Sequence, residues 1–234
     1  MQLLSFDIEI SDVFDLQENE DLEDHAPLHV AVASTVVHGG EERVWYSTGK
    51  DGQPLMNMTR PKARELLRYL RGMQEKGYMV CAWNGLGFDL RWLGYVAEDM
   101  RLASKLAMGL YDPMFQFFNQ RGFPIGLAAV GKAMNISQRK SMDAAEAPRH
   151  WREGRHEAVM DYVLGDSRMT NQIVAAIIER RGVLWVTRNG AVSREPMPAL
   201  KTVEAVLRDP EPDQSWMSTP IPRSKFHHWL HNQQ

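Results

Sequence analysis

Cysteine is almost missing from this chain. Cys81 is the only one in 234 residues, so no internal disulfide can hold the fold together. That excludes a disulfide-stapled scaffold and leads to the expectation of a reducing compartment. Long apolar runs are missing as well. No stretch approaches the roughly 20 residues needed to cross a bilayer, so no membrane partner is expected. The opening Met1-Gln2-Leu3-Leu4-Ser5-Phe6-Asp7 has no basic region, and acids interrupt its apolar run at once. It does not fit a signal peptide, and a cytoplasmic location is the resulting expectation. No Gly-rich loop ends in Gly-Lys-Ser/Thr, and Gly85-x-Gly87 is too short for a dinucleotide-binding turn. There is no internal repeat. Nor is there an excess of positive charge: the formal balance is −3, which disfavours a strongly basic, sequence-specific nucleic-acid binder.

What is present is an ordinary globular composition, 44% hydrophobic and 24% charged, in a chain long enough for one well-packed domain. Leu3 to Ile10, His29 to Val37 and Arg43 to Thr48 read as three strands, the last two joined at Gly39-Gly40. Seven acids and no base between Asp12 and Asp24 suggest a solvated loop that buries little. Thr59-Arg60-Pro61 opens a helix that ends near Gly77. Tyr78 to Trp83 is a buried strand whose Asn84-Gly85-Leu86-Gly87 turn leads into a helix from about Phe88. Broken helical pieces follow over 100–134, interrupted at Asp112-Pro113 and Gly122-Phe123-Pro124. A long helix is expected from about Arg152 to Arg181, and Asn189-Gly190 marks a hairpin after it. The expected fold is α/β: a mixed β-sheet flanked by helices. Residues 1–181 would form the core, and 182–234 a proline-rich extension packed on it as a hairpin plus short helices.

Three segments carry candidate chemistry. In Phe6-Asp7-Ile8-Glu9, positions i and i+2 of a strand share a face, so Asp7 and Glu9 project together. Two such acids repel each other unless a cation lies between them, although the spacing also fits an edge strand with solvent-facing acids. Asp89 falls at a strand-to-helix junction, where α/β sheets gather ligands. It also fits a first-turn acid that complements the helix dipole. On the long helix, Val159, Tyr162, Asp166, Met169, Ile173 and Ile177 recur at three- or four-residue steps, which puts Asp166 on the inward stripe. A carboxylate there requires a partner. A rival pair, His156 and Asp161, shares the helix, but Asp161 lies about 140° from Asp166 at about 100° per residue. It falls on the polar side, with Glu157, Arg168 and Gln172.

Together the segments resemble the three motifs of the DEDD superfamily of 3′–5′ exonucleases in its tyrosine subclass. The nearest subgroup is stand-alone relatives of the proofreading domains of family B DNA polymerases. The resemblance implies a ribonuclease H-like core and two Mg²⁺ or Mn²⁺ ions held by Asp7, Glu9, Asp89 and Asp166, with Tyr162 orienting the attacking water. It also implies substrate contacts from Asn84 and Phe88. Bound cations would neutralise the acids and leave the surface mildly basic. The expected activity is hydrolysis of single-stranded nucleic acid, DNA favoured over RNA, from its 3′ end to nucleoside 5′-monophosphates. Alternatives on the same site are a ribonuclease, a structure-specific endonuclease or a catalytically silent end-binding module.

Among basic residues, Arg60, Lys62, Arg64, Arg68 and Arg71 read as a solvated helix face. Arg139, Lys140, Arg149, Arg152 and Arg155 lead into the third motif. Of these, Arg149, Arg152 and Arg155 are taken as phosphate contacts. His227 and His231 stand one helical turn apart, yet the plainer reading is a terminal helix docked by Phe226 and Trp229. A protein partner, if there is one, is expected at the C-terminal extension.

Overall fold

Alternation of side chains along the first strand decides the layering. The computed structural model describes residues 1–15, 20, 22–138 and 141–230, with Glu23 described by its backbone alone. Arg139, Lys140 and His231 lie outside the described residues. In β1 (Leu3–Ile10), Leu4, Phe6, Ile8 and Ile10 enter one hydrophobic core. They meet Ala63, Leu66, Leu67 and Leu70 of α1 (Arg60–Glu75) there. The intervening residues turn to the opposite face: Leu3 packs with Val174, and Ser5 Oγ donates to Asn171 Oδ1 at 2.7 Å.

β2 (Val30–Val37) pairs antiparallel with β1 and with β3 (Glu42–Trp45), whereas β4 (Met79–Cys81) runs parallel to β1. The order β3-β2-β1-β4 makes a mixed sheet. Helices follow in α2 (Asp89–Ala97), α3 (Met100–Met108), α4 (Pro113–Arg121), α5 (Leu127–Ala133), α6 (Ala147–Arg152) and α7 (His156–Arg180). α7 lies across the face that carries Ser5, while α1 and α2 cover the other. A mixed sheet flanked by helices is the expected class, consistent with a ribonuclease H-like fold.

Three boundaries differ from the sequence reading. The long helix starts at His156, because Gly154 adopts φ +78 and separates α6, which holds Arg152, from α7. β4 is only three residues long, and past it Tyr111 makes a single parallel bridge to Cys81 in place of a further strand. β3 stops at Trp45, leaving Thr48 in an isolated bridge to Pro54. No helix among the described residues is long and apolar enough to cross a membrane.

After α7 comes the hairpin of β5 (Gly182–Val186) and β6 (Val192–Pro196), then α8 (Val203–Arg208) and α9 (Ser224–His227). These elements share the domain's cores. Val183 and Trp185 pack with Val130 of α5 and with Met169 and Ile173 of α7. Val203, Val206, Phe226, Trp229 and Leu230 join the core of α1 and β1.

Polar groups pin α7 in register. Asn171 accepts from Ser5 and donates to the Val36 carbonyl at 2.8 Å. Ser34 Oγ donates to the Val163 carbonyl at 2.8 Å and lies 2.7 Å from Ser167 Oγ. Asn171→Ala would strand the buried Ser5 hydroxyl and the Val36 carbonyl, and is expected to cost about 1–3 kcal/mol in urea unfolding. An unchanged unfolding midpoint would show that these bonds do not hold the helix.

Candidate active site

β4 pairs with β1 only over Leu3–Ser5, so further along β1 the sheet opens. Backbone donors there need other acceptors. Ile8 has one: its N–H donates to Asp89 Oδ1 at 3.1 Å. That bond fastens the start of α2 to the strand that carries Asp7 and Glu9. On its other side β1 pairs with β2 through a register shift at Glu9/Ile10, where Glu9 opposes Val32 and Ile10 opposes Val30. Such irregularities redirect side chains and recur beside active sites.

The opening holds a cavity of about 400 Å³ lined by Asp7, Glu9, Asp89, Tyr162 and Asp166. Asn84 and Phe88 line it too, together with Asp12, Val13, Phe14 and Leu22 from the acidic loop. All four motif carboxylates therefore share one cavity with the tyrosine. Among its described residues Asp15, Glu20 and Asp24 are exposed, as expected of a solvated loop, while Val13, Phe14 and Leu22 add a wall to the cavity. Phe14 stacks on His25 at 4.5 Å, Phe14 and Leu22 pack on the main core, and Asp12 accepts from the His29 N–H at 2.6 Å.

Burial decides the electrostatics. Asp89 is 3% exposed, and its carboxyl is pushed up to about 8, first by burial and next by Asp112 nearby, with Asp166 adding less. Tyr162 is 1% exposed. Burial, then the carboxylates of Glu9, Asp166 and Asp7, hold its phenol far above its ordinary value, and its hydroxyl donates to Asp166. A phenol so placed acts as a neutral hydrogen-bond donor, not as a base. The rival pair lies elsewhere: Asp161 is exposed, and His156 meets Trp151 edge-on at 4.5 Å, beside another cavity.

None of the three arginines lines the acidic cavity. Arg152 Nε donates to the Ser11 carbonyl at 2.9 Å and so braces the end of β1. Arg149 lies 3.7 Å from Asp15, and Arg155 pairs with Glu153.

Asp112 has no place in the sequence reading beyond a helix break. It is 2% exposed, caps α4 by accepting from Phe115 N–H at 3.0 Å, and accepts from the N–H groups of Asn84 and Leu86, both at 3.1 Å. Burial pushes its carboxyl up to about 6 against those bonds. One carboxylate thus fixes the turn between β4 and α2. The available signal was Asp-Pro, an N-cap residue followed by a first-turn proline. From the other side, Trp229 Nε1 donates to the Leu86 carbonyl at 2.8 Å. The two glycines of the turn serve this packing. A Cβ on Gly85 would come within 2.4 Å of Ala82 Cβ, and one on Gly87 within 2.5 Å of Asn84 Oδ1 and 3.0 Å of Phe226. The left-handed residue is Asn84 itself, at φ 67.

The chain matches no protein-family model and no curated protein. Among solved structures it is similar to the family B DNA polymerase from the hyperthermophilic archaeon Pyrobaculum calidifontis, with a TM-score of 0.50 and 17% identity. The likeness is one of fold. It covers 75% of this chain and 24% of that chain, so the similarity concerns a minor part of the polymerase.

A cation would find oxygen donors here, most of them carboxylates, a set for hard ions such as Mg²⁺ or Mn²⁺. Among the described residues no three His, Cys, Asp or Glu side chains form a preassembled metal cage. That is compatible with Mg²⁺, which keeps several waters and takes one or two carboxylates plus substrate oxygens.

The proton on Asp89 has a measurable consequence in chelator. The raised folded value means the folded state binds more protons than the unfolded one, so Asp89 stabilises at low pH and loses that contribution as pH rises towards about 8. From about pH 6.5 to 8, past most of the Asp112 titration, wild type should lose more than about 1 kcal/mol, and Asp89→Asn should stay nearly level. Parallel pH profiles would remove Asp89 as the cause.

Proposed function

We propose that this chain is a metal-dependent 3′–5′ exonuclease of the tyrosine type, acting on single-stranded nucleic acid, with DNA favoured. The observation that carries the reading is the shared cavity: Asp7, Glu9, Asp89 and Asp166 come from three separate segments and line one opening with Tyr162. The motif resemblance to proofreading domains of family B polymerases and the fold similarity to such a polymerase support the same reading. Structural roles alone do not explain why carboxylates occupy both the inward face of α7 and the α7-facing side of β1, since gathering several acids at low exposure is costly unless a cation offsets their repulsion.

Asp7, Glu9, Asp89 and Asp166 would hold Mg²⁺ or Mn²⁺. When bound, such ions supply charge stabilisation at the phosphodiester and acidify a water for attack. Tyr162, neutral and with its hydroxyl donating to Asp166, would orient that water by accepting a hydrogen bond from it on the phenolic oxygen. Asn84 and Phe88 would contact the terminal nucleotide from the turn held by Asp112, and Phe14 and Leu22 would restrict solvent access on the opposite wall. The products would be nucleoside 5′-monophosphates.

Labelled oligonucleotides provide the test. Single-stranded DNA and RNA carrying a 5′ label, given Mg²⁺ or Mn²⁺, should shorten stepwise from the 3′ end. Chelator, Asp7→Ala and Asp166→Ala should each abolish the ladder. Tyr162→Phe should keep the fold and lose up to about 10²-fold in rate, as expected for a positioning group. Internal cuts lost in the same variants would point to an endonuclease. Binding without turnover would point to an end-binding module.

A further inference from the structure

The acidic cavity is continued by a second one. A space of about 320 Å³ shares Leu22, Asn84 and Phe88 with the first and is closed by Ile221, Lys225 and Phe226. Those last three residues belong to the C-terminal segment, outside all three carboxylate motifs. Their wall is fixed. Phe226 packs on Phe118 at 4.6 Å and on Phe115 at 5.7 Å, and Trp229 is tied to Leu86 through its indole N–H.

The lining suits one kind of occupant. It is largely apolar and has aromatic rings from Phe88 and Trp92 at α2 and from Phe226 in α9. It also has one buried acceptor in need of a donor: Asn84 Oδ1 has no hydrogen-bond partner among the described residues. Lys225, which is exposed, contributes a cation to the lining. A flat aromatic group with N–H donors, joined to an anionic backbone, answers all three features.

We propose that this second cavity is a nucleobase subsite, built by the C-terminal segment, for the nucleotide next to the one being released. This rests on the exonuclease reading. The base would lie between Phe88 and Phe226, a turn of the Asn84 side chain would bring its buried Oδ1 to a base N–H, and Lys225 would attract the phosphodiester between the two nucleotides. Because every nucleobase has an aromatic face and an N–H donor, the subsite would recognise a strand without reading its sequence.

The test changes the substrate first, so it does not depend on a variant that folds. Removal of the terminal nucleotide is timed for three single-stranded DNA oligonucleotides in Mg²⁺: intact, abasic at the second nucleotide from the 3′ end, and abasic far upstream. Wild type should lose about tenfold or more in kcat/KM with the near abasic site, and less than about twofold with the distant one. Ile221→Trp, which fills the cavity, should slow the intact oligonucleotide and no longer distinguish it from the near-abasic one, because both changes remove the same contact. Lys225→Glu should raise KM more than it lowers kcat. Equal rates on intact and near-abasic strands, with 3′ shortening preserved, would overturn the subsite and leave the exonuclease reading in place. So would an abasic penalty unchanged in Ile221→Trp. No shortening of any strand would overturn both.

Discussion

Asp7, Glu9, Asp89 and Asp166 share a cavity in which three of them, Glu9, Asp89 and Asp166, are buried. Bringing like charges together at low exposure is unfavourable, and the surrounding structure can be understood as what makes it tolerable. The Ile8 N–H and the Tyr162 hydroxyl each donate to one of these carboxylates. The Asp89 carboxyl retains its proton well above the ordinary carboxylate range, and the phenol stays neutral. The buried serine and asparagine bonds that set the register of α7 keep Tyr162 and Asp166 opposite β1, since a slip along the helix would carry them out of the cavity.

Much of this was legible in the chain. Period-two spacing put Asp7 and Glu9 on one side of a strand, and a three-to-four-residue stripe put Tyr162 and Asp166 on the inward side of a helix with Asp161 outside. Both inferences depend only on backbone periodicity. The mixed sheet followed from the order of elements. Less legible was everything that depends on contacts distant in sequence. Asp112 looks like an N-cap because it is one, and nothing local says that the same carboxylate also accepts from Asn84 and Leu86, 28 and 26 residues away. Gly85 and Gly87 were legible only as a turn, and nothing local says that each gives room to protein side chains, one of them Phe226 of the C-terminal segment.

The surroundings of the arginines were not legible either. Their position just before the third motif suggests phosphate contacts, and the Gly154 kink sends these sequence neighbours to different surroundings. Arg152 braces β1, and Arg155 joins a glutamate beside a separate cavity. Charge counting rightly left Asp15, Glu20 and Asp24 exposed, but it could not show that Phe14 and Leu22 of the same loop pack on the core beside the site. The C-terminal residues, silent in every motif, hold the turn between β4 and α2 through Trp229 and wall a second cavity through Phe226. The candidate site is therefore assembled from both ends of the chain.

The central claim is that the four carboxylates act as one cation site. Crystals grown with Mn²⁺ and a nucleoside 5′-monophosphate test it most directly, through the anomalous signal of the metal. The account predicts two anomalous peaks within the cavity, in contact with Asp7, Glu9, Asp89 and Asp166 and with the phosphate. A nucleotide bound without any metal at these carboxylates, or metal bound only elsewhere on the surface, would contradict it.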